Sequence, residues 1–198
     1  MLPSKFYPLA DDVKWVEAFA PIGVSFMQLR LKEKPRVELE AQINDALVIA
    51  SEFKTTLVIN DYWDIAIDKG ASWVHLGQSD LDGADIDAIK SAGLKFGTST
   101  HDHDELNRVL KLDPNYVALG PIYNTVSKEM YRDPQGLERI SEWKSLLKGV
   151  PLVGIGGIRL ESAEDVLDAG ADAVSCIGDV LLHDQPIERA KQWLKLIG

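Results

Sequence analysis

The chain has 198 residues and a mass of 21.9 kDa, enough for one domain with a sizeable core, and an apolar content of 45% excludes a disordered polymer. A formal charge of -10 and an isoelectric point near 4.8 repel polyanions, so nucleic acid and anionic membrane surfaces are excluded as partners, and any anionic ligand needs a local cluster of donors. The single cysteine, Cys176, makes no internal disulfide, and neither a leader peptide nor an apolar run of membrane-spanning length is present, which points to a soluble cytoplasmic protein.

In chain order the predicted strands are 5–10 (KFYPLA), 24–32 (VSFMQLRLK), 55–60 (TTLVIN), 72–78 (SWVHLGQ), 95–100 (KFGTST), 115–122 (NYVALGPI), 151–157 (PLVGIGG) and 172–178 (DAVSCIG). Between them run amphipathic patterns with apolar residues three and four apart, such as Ile43, Ala46, Leu47 and Ala50, or Ile140, Trp143, Leu146 and Leu147. Several of these predicted helices close on a glycine in the capping position: Gly70, Gly93, Gly149 and Gly170. No linker or composition shift divides the chain. Eight βα units in one domain over 1–198 imply an α/β fold, a (β/α)8 TIM barrel or an open doubly wound sheet. Polar residues at the carboxyl ends of nearly every strand favour the barrel, because only closure brings all those ends to one face.

Strands two to four end in Gln28, Arg30 and Lys32, then Asn60 and Asp61, then Gln78 and Asp80. Carboxylates beside cations suit a magnesium ion carrying a diphosphate: the acids hold one edge of the metal, and Arg and Lys neutralise the phosphates. The competing reading is a ring of structural salt bridges. After strand seven, Gly156 and Gly157 precede a helix at the place where barrels bind a monophosphate, although a glycine pair is also an ordinary tight turn. The loop after strand six offers Thr125, Ser127 and Lys128 between the two anion sites, and Ser99 ends strand five with a hydroxyl. Two phosphorylated substrates and a metal suggest group transfer with pyrophosphate leaving, in which Arg30, Lys32 and Lys128 stabilise the charge on the leaving group.

The set QLRLK, VINDYWDIA, VHLGQSDL, GTSTHD, ALGPIYNTVSK and VGIGGI, in this order along almost the whole chain, resembles thiamine-phosphate synthase. The resemblance implies a (β/α)8 barrel that joins 4-amino-2-methyl-5-hydroxymethylpyrimidine diphosphate to 4-methyl-5-hydroxyethylthiazole phosphate, with or without a carboxylate on the thiazole, giving thiamine phosphate and pyrophosphate. It further implies that Gln28, Leu29, Arg30, Leu31, Lys32, Asn60, Ser99 and Lys128 bind the pyrimidine diphosphate and that Asp61 and Asp80 bind Mg2+. Thr125, Val126, Ser127, Gly157, Ile177 and Gly178 would hold the thiazole phosphate. The chain departs from the family pattern at Asn124, usually proline, at Ser127, usually threonine, and in SCIGDV, where Gly178 replaces a serine and Asp179 adds a carboxylate. Pointing inward, Asp179 would weaken phosphate binding; capping a helix or facing a neighbour, it would be neutral. The alternatives are a thiazole tautomerase-like enzyme or a noncatalytic phosphate-ligand-binding barrel, and apolar helix faces are compatible with a homodimer.

Other polar and aromatic residues read as structural. His75 is expected to be a satisfied core histidine, and His101 and His103, beside three acids, to belong to a capped helix start. Cys176, Trp63, Trp73 and Trp143 read as packing, and the acids from Asp82 to Asp87 as a solvated helix start.

Overall fold

Val, Ile and Leu fill the short runs because a parallel strand covered on both faces has no polar side to spare. A computed structural model describes residues 1–32, 34–125 and 133–198. Its strands are β1 (Phe6–Ala10), β2 (Phe26–Leu29), β3 (Thr56–Asn60), β4 (Trp73–Leu76), β5 (Lys95–Thr100), β6 (Tyr116–Leu119), β7 (Leu152–Ile155) and β8 (Ala173–Cys176). They pair in parallel and in chain order, and β1 closes on β8 through Phe6 with Val174 and Tyr7 with Ser175. The helices are α1 (Val13–Phe19), α2 (Arg36–Glu52), α3 (Trp63–Asp68), α4 (Ile86–Ser91), α5 (His103–Leu110), α6 (Gly136–Leu146), α7 (Ala163–Asp168), α8 (Gly178–Leu181) and α9 (Pro186–Ile197), with 3-10 turns at Asp80–Asp82 and Leu160–Ser162. The (β/α)8 barrel is therefore the observed fold, and the open sheet is excluded. Among the described residues no helix is long and apolar enough to cross a membrane.

Several expected strands run past the observed ones. The ladder of β4 stops at Leu76, for example, because Gly77 and Gln78 already turn into the segment that carries Asp80. The four expected capping glycines all take positive φ, from 69° at Gly70 to 116° at Gly170. Ile140, Trp143 and Leu147 are buried as expected, whereas Leu146 is 40% exposed, lying on the outer side of the last turn of α6. The expected capping also holds: Asp85 accepts from Ala88 N at 2.8 Å and Asp102 from Glu105 N at 2.9 Å. His101 Nδ1 meets Glu105 at 2.7 Å, and His103 packs on the Trp143 ring.

The core has two layers, as strand alternation requires. Phe6, Met27, Leu29, Ile59, Val74, Val117 and Val174 face outward against the helices, and Cys176 joins them. Tyr7, Phe26, Val58, Trp73, Tyr116, Ala118, Val153 and Ala173 face inward and fill the barrel. Four inward aromatics would overfill so narrow a space if every strand supplied a side chain. At Gly97 a Cβ would fall 2.0 Å from two atoms of the Tyr116 ring, so this glycine is the hollow into which Tyr116 fits. Gly97→Ala is expected to cost about 3 kcal/mol or more, since the ring is walled by Tyr7, Trp73 and His75. Urea denaturation measures this, and a loss under about 1 kcal/mol would show that Tyr116 moves aside easily.

Candidate active site

Continuing the inward parity of each strand toward its carboxyl end gives Gln28 and Arg30 after Phe26, Asn60 after Val58, and His75 and Gly77 after Trp73. On β5, β7 and β8 it gives Ser99 after Gly97, Ile155 after Val153 and Ser175 after Ala173, with Gly157 and Ile177 following just past the ends of β7 and β8. The fold thus brings Gln28, Arg30, Asn60, Ser99, Gly157 and Ile177 to one mouth. Backbone pairing extends one step past β2, where Arg30 N donates to Ala10 O at 2.7 Å, and the Arg30 side chain is half-buried. Lys32 is exposed on the loop beyond. The side chains of Leu29 and Leu31 belong to the outer layer, so those two positions offer a ligand only their backbone. Thr125 is half-buried after β6, and Val126, Ser127 and Lys128 lie outside the described residues.

Asp61 and Asp80 are drawn together at the rim. Asp61 sits in the left-handed region, φ 66°, which aspartate tolerates better than most residues, and its N–H donates to His75 O at 2.8 Å. Asp80 opens the turn after β4, and a Cβ on Gly77 would stand 2.7 Å from its Oδ2, so Gly77 gives that carboxylate room to fold back. Burial and the neighbouring Asp80 push the Asp61 carboxyl up to about 7, while Arg30 and Asn60 act in the opposite sense. Among the described residues neither acid makes a salt bridge, which removes the ring of structural salt bridges as their explanation. Two hard oxygen donors that repel one another, facing an arginine, fit a divalent cation that takes the rest of its ligands from phosphate and water. No group of three such ligands occurs among the described residues.

On the opposite side of the mouth, Gly156 and Gly157 have φ of 96° and 69°. A Cβ at Gly157 would stand 2.5 Å from Asn124 O and 2.7 Å from Tyr123 O, and Tyr123 N donates to Gly156 O at 3.0 Å. Glycine is required here because the loop after β6 lies directly against the loop after β7, a reason that holds with or without a bound phosphate. Ile177 and Gly178 begin α8 and are half-buried.

Asp179 turns away from the mouth. It accepts from Arg189 Nε and Nη2 at 2.9 Å each, from Trp193 Nε1 at 2.7 Å and from Leu160 N at 3.3 Å. Burial pushes its carboxyl up, but the Arg189 and Trp193 hydrogen bonds prevail and hold it below the usual carboxylate range. Of the two orientations open to it, facing a neighbour is the one observed.

Beneath the mouth runs a chain that the sequence reading did not see. Gln28 Nε2 donates to Tyr7 Oη at 2.9 Å, Tyr7 Oη lies 2.8 Å from Tyr116 Oη, His75 Nδ1 is 2.7 Å from Tyr116 Oη, and His75 Nε2 is 2.9 Å from Ser99 Oγ. His75 is satisfied, as expected, yet it also links two proposed ligand contacts. The shared inward parity of these five residues was the signal available.

A family model for thiamine monophosphate synthase matches residues 3–180. The chain belongs to this family. It is 46% identical over 189 residues to the thiamine-phosphate synthase of Rhizobium etli, covering 96% of this chain and 93% of that one. It is 43% identical to that of Proteus mirabilis, covering 88% and 81%. In fold it resembles the thiamine phosphate pyrophosphorylase of Pyrococcus furiosus, with a TM-score of 0.85, 24% identity and coverage of 98% and 95%. A 3-hexulose-6-phosphate synthase shares the barrel at a TM-score of 0.68, 16% identity and coverage of 97% and 99%. Of the expected departures from the family pattern, Gly178 opens α8 and Asp179 forms an ion pair with Arg189.

With side-chain exposures of 8% and 11%, Asp179 and Arg189 form a nearly buried pair. Asp179→Ala strands the guanidinium and is expected to cost about 3 kcal/mol in urea denaturation. A loss under about 1 kcal/mol would mean that Glu161 and Gln192 suffice to hold Arg189.

Proposed function

We propose that the chain is a thiamine-phosphate synthase that joins the pyrimidine diphosphate to the thiazole phosphate, the thiazole carrying a carboxylate or not, with release of pyrophosphate. The observation that carries this reading is the Asp61–Asp80 pair facing Arg30 at the rim, on the same side as Gln28, Asn60 and Ser99. A tautomerase-like or noncatalytic barrel would leave those two acids without a purpose.

Gln28, the Leu29 and Leu31 backbone, Arg30, Lys32, Asn60, Ser99 and Lys128 bind the pyrimidine diphosphate. Asp61 and Asp80 hold Mg2+, which when bound supplies positive charge to the diphosphate oxygens. Thr125, Val126, Ser127, Gly157, Ile177 and Gly178 bind the thiazole phosphate, with the Gly157 contact seating the loop that carries Thr125.

In the reaction, the bond between the pyrimidine methylene carbon and the diphosphate oxygen breaks, and its electron pair leaves on the diphosphate. The thiazole nitrogen then gives its lone pair to the resulting cation and becomes quaternary. With the uncarboxylated thiazole no proton changes hands, which agrees with a mouth built from charge and hydrogen-bond donors; a ring carboxylate would leave as CO2, its electron pair staying on the ring carbon, which takes a proton from water. Arg30, Lys32 and Lys128 stabilise the charge gathering on the leaving group.

The test is pyrophosphate release by the purified protein given both heterocycles, with Mg2+ or with chelator. Release that needs both substrates and the metal is expected, and Asp61→Asn and Asp80→Asn should lower turnover at least about a hundredfold with the fold intact. No release, or variants within about twofold of the parent, would overturn the reading.

Proton linkage gives a second, activity-free check. Because the Asp61 carboxyl titrates near 7 when folded and near about 4 when unfolded, the folded state holds its proton more tightly. Its contribution is greatest at low pH and is lost as the pH rises between those values. Mg2+ should therefore raise Tm more at about pH 8 than at about pH 5. Equal gains at both pH values would remove Asp61 from the metal site.

A further inference from the structure

Tyr7, Gln28, His75, Ser99 and Tyr116 come from five different strands, and with the Gln28 amide nitrogen turned to Tyr7, counting their hydrogens leaves one arrangement. Gln28 Nε2 donates to Tyr7 Oη. Tyr7 is 1% exposed, and the acceptor within reach of its hydroxyl hydrogen among the described residues is Tyr116 Oη. The Tyr116 hydrogen then goes to His75 Nδ1, which must carry no proton. The neutral ring keeps its hydrogen on Nε2 and donates it to Ser99 Oγ. A ring protonated on Nδ1, whether the other tautomer or the imidazolium, would turn the Tyr116 hydrogen back toward Tyr7. The Tyr7 hydrogen would then be buried with no acceptor, a lost pairing that selects against this state.

The packing fixes the same chain. Tyr116 occupies the hollow left by Gly97, His75 stacks on the Tyr116 ring at 5.6 Å, and Tyr7 meets Tyr116 edge-on at 5.9 Å. At its outer end, Ser99 is half-buried at the mouth. With a lone pair of Ser99 engaged by His75, its own hydrogen is left to turn outward.

We propose that Tyr7, Tyr116 and His75 are positioning residues. They form a one-way hydrogen-bond chain that holds His75 as the neutral Nε2–H tautomer and makes Ser99 present a hydrogen, not a lone pair, to an anionic ligand oxygen. The ligand half of this inference rests on the reading that Ser99 faces the diphosphate. The chain also ties Ser99 to Gln28, so the two contacts are set as a unit by groups that never touch the ligand.

Nitrogen NMR of the full chain with 15N-labelled histidine, at neutral pH and without substrate, reads the tautomer directly. The His75 signals are identified by their loss in His75→Asn. A protonated Nε2 and a bare Nδ1 are expected, turning into a tautomer mixture in Tyr116→Phe, which keeps the ring but removes the hydroxyl. A protonated Nδ1 in the parent would overturn the chain.

The second arm is a double-mutant cycle on kcat/KM for the pyrimidine diphosphate. Ser99→Ala and Tyr116→Phe should each lower it about tenfold, the size of one hydrogen bond to a charged group, and the double variant should be no worse than Ser99→Ala alone. Independent, multiplying effects would overturn the positioning role. The expected tautomer together with an unaffected Ser99→Ala would overturn the ligand half through its assignment of Ser99, leaving the chain itself standing.

Discussion

Parallel strands that close into a ring leave each residue a choice of only two directions, and that constraint organises the rest of the molecule. Because β1 pairs with β8 and every strand runs the same way, inward positions stack from an aromatic floor to a polar mouth. A shift of one residue in β2 would exchange a proposed ligand contact for an outer-layer leucine. The sequence Gln28, Leu29, Arg30, Leu31 states this compactly: two members look into the mouth, and two anchor β2 and its following loop against the helices.

The mouth manages charge without a surplus of cations, in a chain with net charge -10. Arg30 is brought to the rim with Asp61 and Asp80, and the neutral groups Gln28 and Ser99 add dipoles tied to partners below the surface, while Asn60 bonds to Asp61 at the rim itself. Oriented dipoles in a half-buried site need no reorganisation when charge develops, which is the advantage they hold over water. The cost is a buried polar chain that must be satisfied throughout, and the Gly97 hollow together with the Tyr7–Phe26 stack at 4.0 Å provides the rigidity for it.

Much of this was legible in the sequence. Apolar runs at regular spacing, helix-ending glycines and polar residues after each run identified the barrel, and QLRLK, IND and GQSD located one half of the mouth. Features that depend on partners far along the chain were not legible. Tyr7 and Tyr116 read as ordinary strand aromatics, because nothing local tells that their hydroxyls meet, 109 residues apart in sequence. Gly97 reads as a weak strand residue until the ring that fills its place is known. Gly157 announces an unusual backbone angle, but the carbonyls of Tyr123 and Asn124 that require it come from another βα unit. The orientation of Asp179 depended on Arg189 and Trp193, on a helix not yet placed against it.

That last contact bears on the order in which the molecule can be assembled. Residues of β8 and the start of α8 border the mouth, yet Asp179 gains its full set of donors only when α9 packs, through Arg189 and Trp193, and Trp193 also stacks on Phe6 at 5.2 Å. One indole thus joins the first strand to the short helix after the last. During synthesis from the amino end, the nascent chain can form most of its βα units early, but Asp179 must wait for α9 to leave the ribosome. Ring closure through β8 and the seating of Asp179 by α9 therefore both come late in synthesis.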